Sequence, residues 1–270
     1  MTTPFKPHGQ PPTDANPPAV PLPPIWVLNL KRSPKRRQFM EHQLTSFGLD
    51  FEFINAIDGY HLSEKDLAKY SKEQTVKIIG RELSCTEIGC ALSHLLVYHR
   101  MVREEIDEVL VLEDDIRITQ TLLEILKRRD QFPNDYEWIS FQTTATKYPI
   151  GKRIYGKHRA CKFLFPAESL LAYLITRKGA QKLLRYAYPI RMPSDCLTSR
   201  KRLTGLVAYG VTPSVTHLTD FVSDIWGTKS ERDQHLKSLE KRSWLIRVFL
   251  LARFNWFGKS ATFEAMRTAR

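Results

Sequence analysis

Residues 109–115 read VLVLEDD, in which four aliphatic residues are followed directly by three acidic ones. This pattern is the clearest indication of the fold in the sequence. A short continuous apolar run is typical of a strand that is buried on both faces of a sheet. In an open α/β sheet, ligands bind beyond the carboxyl ends of the strands. Glu113, Asp114 and Asp115 are therefore predicted to face a functional site.

Apolar runs and helical stretches alternate on both sides of this strand. The run IWVLNL at 25–30 is a predicted strand, and Ser33-Pro34 predicts the start of the helix that follows. The remaining predicted elements are a strand at 51–57, a helix at 86–102, strands at 138–141 and 169–175, and a helix at 178–186. This alternation predicts an α/β fold, a sheet wrapped by helices. Within 86–102, one face is expected to hold Ile88, Leu92, Leu95, Leu96 and His99.

The composition is that of one basic globular domain. The chain has 270 residues, a net charge of +12 and 42% apolar residues, which excludes a disordered tail protein and a small disulfide-stapled scaffold. Its four cysteines lack zinc-site spacing and are expected to be reduced thiols in a cytosolic protein. The first residues hold no apolar signal segment, and no run of 18 uncharged apolar residues occurs, so neither a signal peptide nor a membrane span is predicted.

The two ends differ in composition from the middle. Residues 1–24 hold nine of the sixteen prolines, which predicts a disordered tail or, alternatively, a proline-rich ligand for a partner groove. Residues 229–270 carry ten basic and four acidic residues, and 244–257 (WLIRVFLLARFNWF) mix aromatic and aliphatic residues with arginines. This pattern predicts a basic amphipathic helix on an anionic membrane surface, or else a helix docked on the core. No nucleic-acid motif accompanies the charge, so nucleic acid is not an expected partner.

The acidic triplet itself allows two interpretations. Clustered carboxylates repel each other unless a cation is present, and their hard oxygen atoms suit Mg²⁺ or Mn²⁺. The alternative is a solvated acidic turn that caps the next helix.

Six blocks of sequence occur in order along the chain: VLNLKRSPKRR at 27–37, AIDG at 56–59, EIGCALSH at 87–94, LEDD at 112–115, AYLITRKGA at 172–180 and PSD at 193–195. Together they resemble glycosyltransferase family 25, which contains bacterial lipooligosaccharide galactosyltransferases and collagen galactosyltransferases. The resemblance extends over about residues 25–225.

The resemblance implies a GT-A type fold, with a mixed sheet flanked by helices in 25–228, and an inverting transfer from a UDP-sugar. It implies that Asp115 binds a divalent metal, Mn²⁺ or Mg²⁺, with Glu113 or Asp114 near the ribose or the metal's water shell. It also makes Asp195 the first choice for the base that takes the acceptor proton, although Ser194 replaces the family's valine. A substrate-positioning role or helix capping are the alternatives for Asp195.

The same resemblance places the nucleotide donor near the first strand. The implied donor residues there are Asn29, Arg32, Arg36 and Arg37. Lys31 and Lys35 stand where the family often has acidic residues, so this loop is unusually basic. The extra positive charge either binds a phosphorylated donor or acceptor, or belongs to a solvated face.

Further donor contacts are expected from the second and third blocks. Asp58, next to Gly59, is either a uridine or ribose contact or an ordinary turn residue. Ser93 and His94 are donor-pocket residues or packed core residues. His217 is a less certain metal or diphosphate ligand.

The sequence thus predicts transfer of a hexose, galactose by default, to a lipooligosaccharide or lipid-linked saccharide at the cytoplasmic face of an inner membrane. The alternatives are a catalytically silent transferase-like protein that binds saccharide or membrane, and a glycoside hydrolase, which needs two carboxylates on opposite sides of a sugar. The basic and aromatic segment 147–166 is expected to be a loop over the donor.

Overall fold

A computed structural model describes residues 20–142, 147–163 and 170–221. The strands in these residues are β1 Ile25–Asn29, β2 Glu52–Asn55, β3 Glu108–Glu113, β4 Ile116–Ile118, β5 Trp138–Ser140, β6 Lys147–Tyr155, β7 His158–Phe163, β8 Ala172–Thr176, β9 Ala208–Thr212 and β10 Thr216–Leu218. The α-helices are α1 Pro34–Ser46, α2 Glu64–Leu67, α3 Lys72–Ile79, α4 Cys85–Arg103, α5 Gln120–Leu126, α6 Arg177–Leu184, α7 Ser194–Ser199 and α8 Lys201–Thr204.

Eight of the strands form one sheet in the order β2-β1-β3-β8-β5-β9-β7-β6. Strand β1 pairs in parallel with β2 and β3, and β5 pairs in parallel with β9, while the other pairings are antiparallel. A small second sheet joins β4 to β10. The predicted α/β fold, a mixed sheet flanked by helices, is confirmed.

The middle strands are buried on both faces, as their apolar runs predict. Alternation along β1 sends Trp26 and Leu28 to a cluster with α4 and α6, and Val27 to a second cluster with α1 and α5. All four residues of the VLVL run are at most 1% exposed. Glu113, at the end of β3, and Asp114 and Asp115, which follow it, are therefore attached to a rigid part of the core.

The expected loop at 147–166 is wrong over its described part, because 147–163 form the β6–β7 hairpin at the edge of the sheet. Along β7, which pairs with β9 and with the edge strand β6, buried Ala160 and Phe163 share the strand with exposed Arg159 and Lys162. Gly156 in the hairpin turn has φ +51°, a backbone conformation that favours glycine.

The predicted apolar face of α4 is wrong in its last turns. Leu96 is 43% exposed and His99 is also exposed, whereas Ala91 and Tyr98 are buried. The reason is tertiary: α6, α7 and the 57–61 segment pack on other sides of the helix and leave this part of it uncovered.

The N-terminal boundary of the ordered domain lies before residue 25. Val20 N donates to Lys127 O, Arg129 donates to Pro21 O, and Leu110 N donates to Pro24 O. Residues 20–24 therefore belong to the domain rather than to the predicted tail. The rest of that tail and the basic segment 229–270 lie outside the described residues.

No disulfide joins the four cysteines, all of which are in the described part of the chain. A search of the described helices finds none with the length and apolar character that crossing a membrane requires.

Candidate active site

The site lies where three parallel strands end. Since β2, β1 and β3 run in the same direction, their carboxyl ends meet at one edge of the sheet. An open cavity of about 110 Å³ lies there, between this edge and the first turns of α4. Seven of the residues implied by the family resemblance line it: Arg32, Arg36, Ser93, His94, Glu113, Asp114 and Asp115.

Asp114 is held by two side chains from the β1 end of the site. Asn29 Nδ2 donates to its Oδ2 at 2.6 Å, and Arg36 Nη1 donates to its Oδ1 at 2.8 Å. Burial raises the pKa of the Asp114 carboxyl, and the guanidinium of Arg36 and the amide of Asn29 oppose this shift. These hydrogen bonds connect the end of β1 and the start of α1 to the turn after β3, and they fix the orientation of the Asp114 side chain.

Asp115, the third acid, lies in the turn that connects β3 of the large sheet to β4 of the small sheet. It is 7% exposed, and its backbone oxygen accepts hydrogen bonds from the Thr219 amide at 2.9 Å and hydroxyl at 2.8 Å. The backbone that carries this carboxylate is therefore fixed from two sides, by β3 and by the segment after β10.

The wall opposite the acids is made by α4 packed closely on residues 57–59. A Cβ added to Gly89 would lie 2.7 Å from Ile57 O and from Gly59 N, so a glycine is required for this approach. Ser93 Oγ accepts from Ile57 N at 2.8 Å and donates to Gly89 O at 2.7 Å. Ser93 thus lines the cavity and also fastens its wall.

The start of α4 is fixed by a capping box. Ser84 Oγ accepts from Glu87 N, and Glu87 Oε2 accepts from Ser84 N at 2.8 Å. Arg81 binds both oxygens of Glu87, at 2.7 and 2.6 Å. These contacts hold the helix that supplies the cavity with Cys90, Ser93 and His94.

His94 is 1% exposed and joins the cavity to the core. Its Nδ1 lies 2.8 Å from Tyr173 Oη, and Tyr173 donates to Tyr98 Oη at 3.2 Å. Its Nε2 lies 3.4 Å from Glu113 Oε1. The His94 side chain is therefore both packed in the core and part of the cavity lining.

Three implied donor residues, Asn29, Arg37 and Asp58, are not among the cavity-lining side chains. Asp58 accepts from Tyr60 N at 3.1 Å and pairs with Arg32 at 2.9 Å, as a turn residue does. Burial works to raise the pKa of Asp58, but hydrogen bonds from Tyr60 N, His61 and Arg32 outweigh it and lower the pKa overall. Arg37 is exposed and lies over the Phe53 ring, with 3.9 Å between Cζ and the ring centroid.

Asp195 and His217 also lie outside the cavity lining. Asp195 is in the first turn of α7, where its Oδ1 accepts from Cys196 N at 2.7 Å. Helix α7 packs against α4, the helix that lines the cavity. His217 is exposed on β10, paired in register with exposed Arg117.

Sequence reasoning missed Cys90 and Tyr173 as site residues. Cys90, one of the four expected reduced thiols, lines the cavity four residues before His94 on the same helix face. Burial and the charges of nearby carboxylates, Glu113 first, raise the pKa of its thiol. The spacing of Cys90 and His94 was the available signal, whereas the approach of Tyr173 depends on strand order.

A sequence profile described as "Glycosyltransferase family 25 (LPS biosynthesis protein)" matches residues 22–198. A "Glycosyltransferase 25 family member" of Aedes aegypti is 30% identical over 225 residues, which are 74% of this chain and 36% of that protein. "Procollagen galactosyltransferase 2" of Homo sapiens is 28% identical over 168 residues, 59% of this chain and 27% of that protein. The chain therefore spans about a third of the length of the curated relatives it matches.

Among solved structures, an inositol-1-phosphate CTP transferase from T. maritima aligns with a TM-score of 0.44 and 13% identity, over 79% of this chain and 92% of the other. A glycosyltransferase involved in glycosylation of the major capsid of PBCV-1 aligns with a TM-score of 0.39 and 10% identity, over 81% and 100%. The profile match covers well over half of the residues. The chain belongs to glycosyltransferase family 25.

Proposed function

We propose that the chain is a glycosyltransferase that moves a hexose, galactose by default, from a UDP-sugar to a saccharide hydroxyl. The observation that carries this proposal is the placement of Glu113, Asp114 and Asp115 in one cavity with Arg32 and Arg36, beyond the ends of three parallel strands. Family membership supports a sugar donor and a saccharide acceptor.

The residues present fit a divalent cation. Carboxylate oxygens are the donors that Mn²⁺ and Mg²⁺ prefer. In this proposal Asp115 is the ligand, as the family resemblance of LEDD at 112–115 implies, with Glu113 near the ribose or the metal's water shell, while both oxygens of Asp114 accept hydrogen bonds from Asn29 and Arg36. When bound, such a cation would act as a Lewis acid that neutralises the leaving diphosphate.

The arginines would hold the donor phosphates. Arg32 and Arg36 both line the cavity, and Asp58 and Asp114 orient them through ion pairs at 2.9 and 2.8 Å. A guanidinium has five N–H donors in a planar fork that matches the geometry of a phosphate. In this proposal Asn29 and Asp58 act on the donor by positioning these side chains.

Asp195 is our choice for the base of an inverting transfer, which must take the acceptor proton on the ring face opposite the leaving group. Asp195 lies outside the cavity lining at the start of α7, which packs on the cavity-lining helix α4, and in this proposal the acceptor binds between Asp195 and the donor. His217 remains a weaker metal candidate, because it is exposed and paired with Arg117.

We further propose that the acceptor is a lipooligosaccharide or another lipid-linked saccharide, reached by the protein from an anionic membrane surface on the cytoplasmic side. The support is the excess of basic residues in 229–270 and the aromatic stretch 244–257.

A UDP-release assay over a panel of UDP-sugars, with Mn²⁺ and with a chelator, tests the proposed activity. We expect metal-dependent release from one donor, lost in Asp115→Asn and kept in the control Asp50→Asn, whose side chain is exposed. If no donor in the panel gives UDP release and the protein does not bind UDP, the result would support the catalytically silent alternative. Release of free sugar from an oligosaccharide without a nucleotide would support a hydrolase.

A further inference from the structure

The hydrogen-bond chain behind His94 fixes which of its nitrogens carries the proton. The Tyr173 hydroxyl has one hydrogen, and it donates that hydrogen to Tyr98. Tyr173 Oη must therefore accept from His94 Nδ1–H, at 2.8 Å. In a neutral imidazole this leaves the lone pair on Nε2, which points towards the cavity and Glu113.

The Nε2 lone pair then faces a second acceptor, Glu113 Oε1, at 3.4 Å. A lone pair and a carboxylate oxygen that face each other at this distance are stabilised by a proton or a cation between them. If a metal lay about 2.1 Å from both atoms, their 3.4 Å separation would correspond to a nitrogen–metal–oxygen angle of about 108°, close to the tetrahedral angle.

Cys90 supplies a third donor on the same helix face. Cys90 and His94 are one helical turn apart on α4, and Cys90 Sγ, His94 Nε2 and a Glu113 oxygen all lie within 4.8 Å of one another. A tetrahedral site needs sulfur and nitrogen about 3.6 Å apart, so the thiol has at most about 1 Å to move. A rotation about χ1 of Cys90 covers that distance.

The charges around the thiol also favour a cation. Glu113, Asp195, Glu87 and Asp115 all place negative potential at Cys90. A bound cation would relieve this repulsion, and sulfur with nitrogen selects zinc-like ions over Mg²⁺ and Mn²⁺.

We propose that Cys90, His94 and Glu113 form a binding site for one divalent transition-metal ion, with Zn²⁺ as the best match. Binding releases the thiol proton to solvent, so that a thiolate, an imidazole nitrogen and a carboxylate oxygen hold the ion. The cavity leaves the fourth position open to water. The site shares Glu113 with the proposed donor site, but it does not depend on the proposed glycosyl transfer.

Titration of the full chain with Co²⁺, without nucleotide, tests this site through the thiolate-to-cobalt charge-transfer absorption. We expect one equivalent to give the band, Zn²⁺ to displace it, and Cys90→Ser to abolish it. Cys85→Ser is the matched control, since Cys85 is exposed on the same helix, and it should keep the band. Tyr173→Phe should weaken Zn²⁺ binding by about 10- to 100-fold because it frees the His94 ring.

Circular dichroism of each variant separates a lost ligand from a lost fold. No band in the folded wild type, or the same band in folded Cys90→Ser, overturns the proposal. A metal that binds with only carboxylate-type spectra also overturns it and assigns the ion to the acidic residues alone.

Discussion

Replacement of Gly89 by alanine is expected to destabilise the protein by about 1–3 kcal/mol, although alanine is the better helix former. The new Cβ would lie 2.7 Å from two backbone atoms, Ile57 O and Gly59 N, and ordinary contact begins at 3.4 Å. The 57–59 segment must therefore retreat by about 0.7 Å, and overpacking of this kind costs about 1–3 kcal/mol. The helix-propensity gain of about 1 kcal/mol roughly cancels the loss of the Ser93 hydrogen bond to Ile57 N.

Urea unfolding followed by far-ultraviolet circular dichroism measures the effect of Gly89→Ala. Ser93→Ala is the matched control, because it removes the same hydrogen bond without adding an atom, and it should cost about 1 kcal/mol. Unchanged or higher stability of Gly89→Ala would show that the close approach of α4 to the 57–59 segment is not present, and the wall of the cavity would have to be redrawn.

Three further changes have expected outcomes. Arg36→Met takes the guanidinium from the buried Asp114 carboxyl and should cost about 3 kcal/mol in thermal unfolding; a change near zero would contradict the buried pair. Burial acts to raise the pKa of Glu87, but hydrogen bonds from Arg81 and Ser84 N outweigh burial, so the pKa lies below its ordinary value of 4.5. The ionised Glu87 therefore stabilises the fold above pH 4.5, and this stabilisation is lost as the pH falls below that value. The difference in unfolding free energy between wild type and Glu87→Gln should therefore shrink in acid, and a difference that grows would refute this. Deletion of 229–270 should abolish flotation with anionic vesicles and leave activity on a soluble acceptor, whereas unfolding on deletion would indicate a helix docked on the core.

The strands and helices next to the site could be predicted because their signals are local. The apolar runs at 25–30 and 109–112 are continuous since both faces of β1 and β3 are covered. The hairpin of β6 and β7 was missed because the exposed basic residues Arg159 and Lys162 lie between buried residues of β7, a pattern that composition alone does not distinguish from a loop.

Within the site, sequence order identified the acidic residues but not their different surroundings. Asp114 is engaged by Asn29 and Arg36, which come from another strand and helix, so its hydrogen bonding depends on the β1–β3 pairing. The role of His94 depends in the same way on Tyr173, 79 residues further along the chain. Such contacts are set by tertiary structure.

Calorimetric titration of UDP with Mn²⁺ into wild type, Asp115→Asn and Asp195→Asn tests whether Asp115 is part of a metal-dependent nucleotide site. We expect Mn²⁺-dependent UDP binding in wild type and in Asp195→Asn, and binding more than about 100-fold weaker in correctly folded Asp115→Asn. UDP binding by Asp115→Asn with wild-type affinity would contradict this role of Asp115.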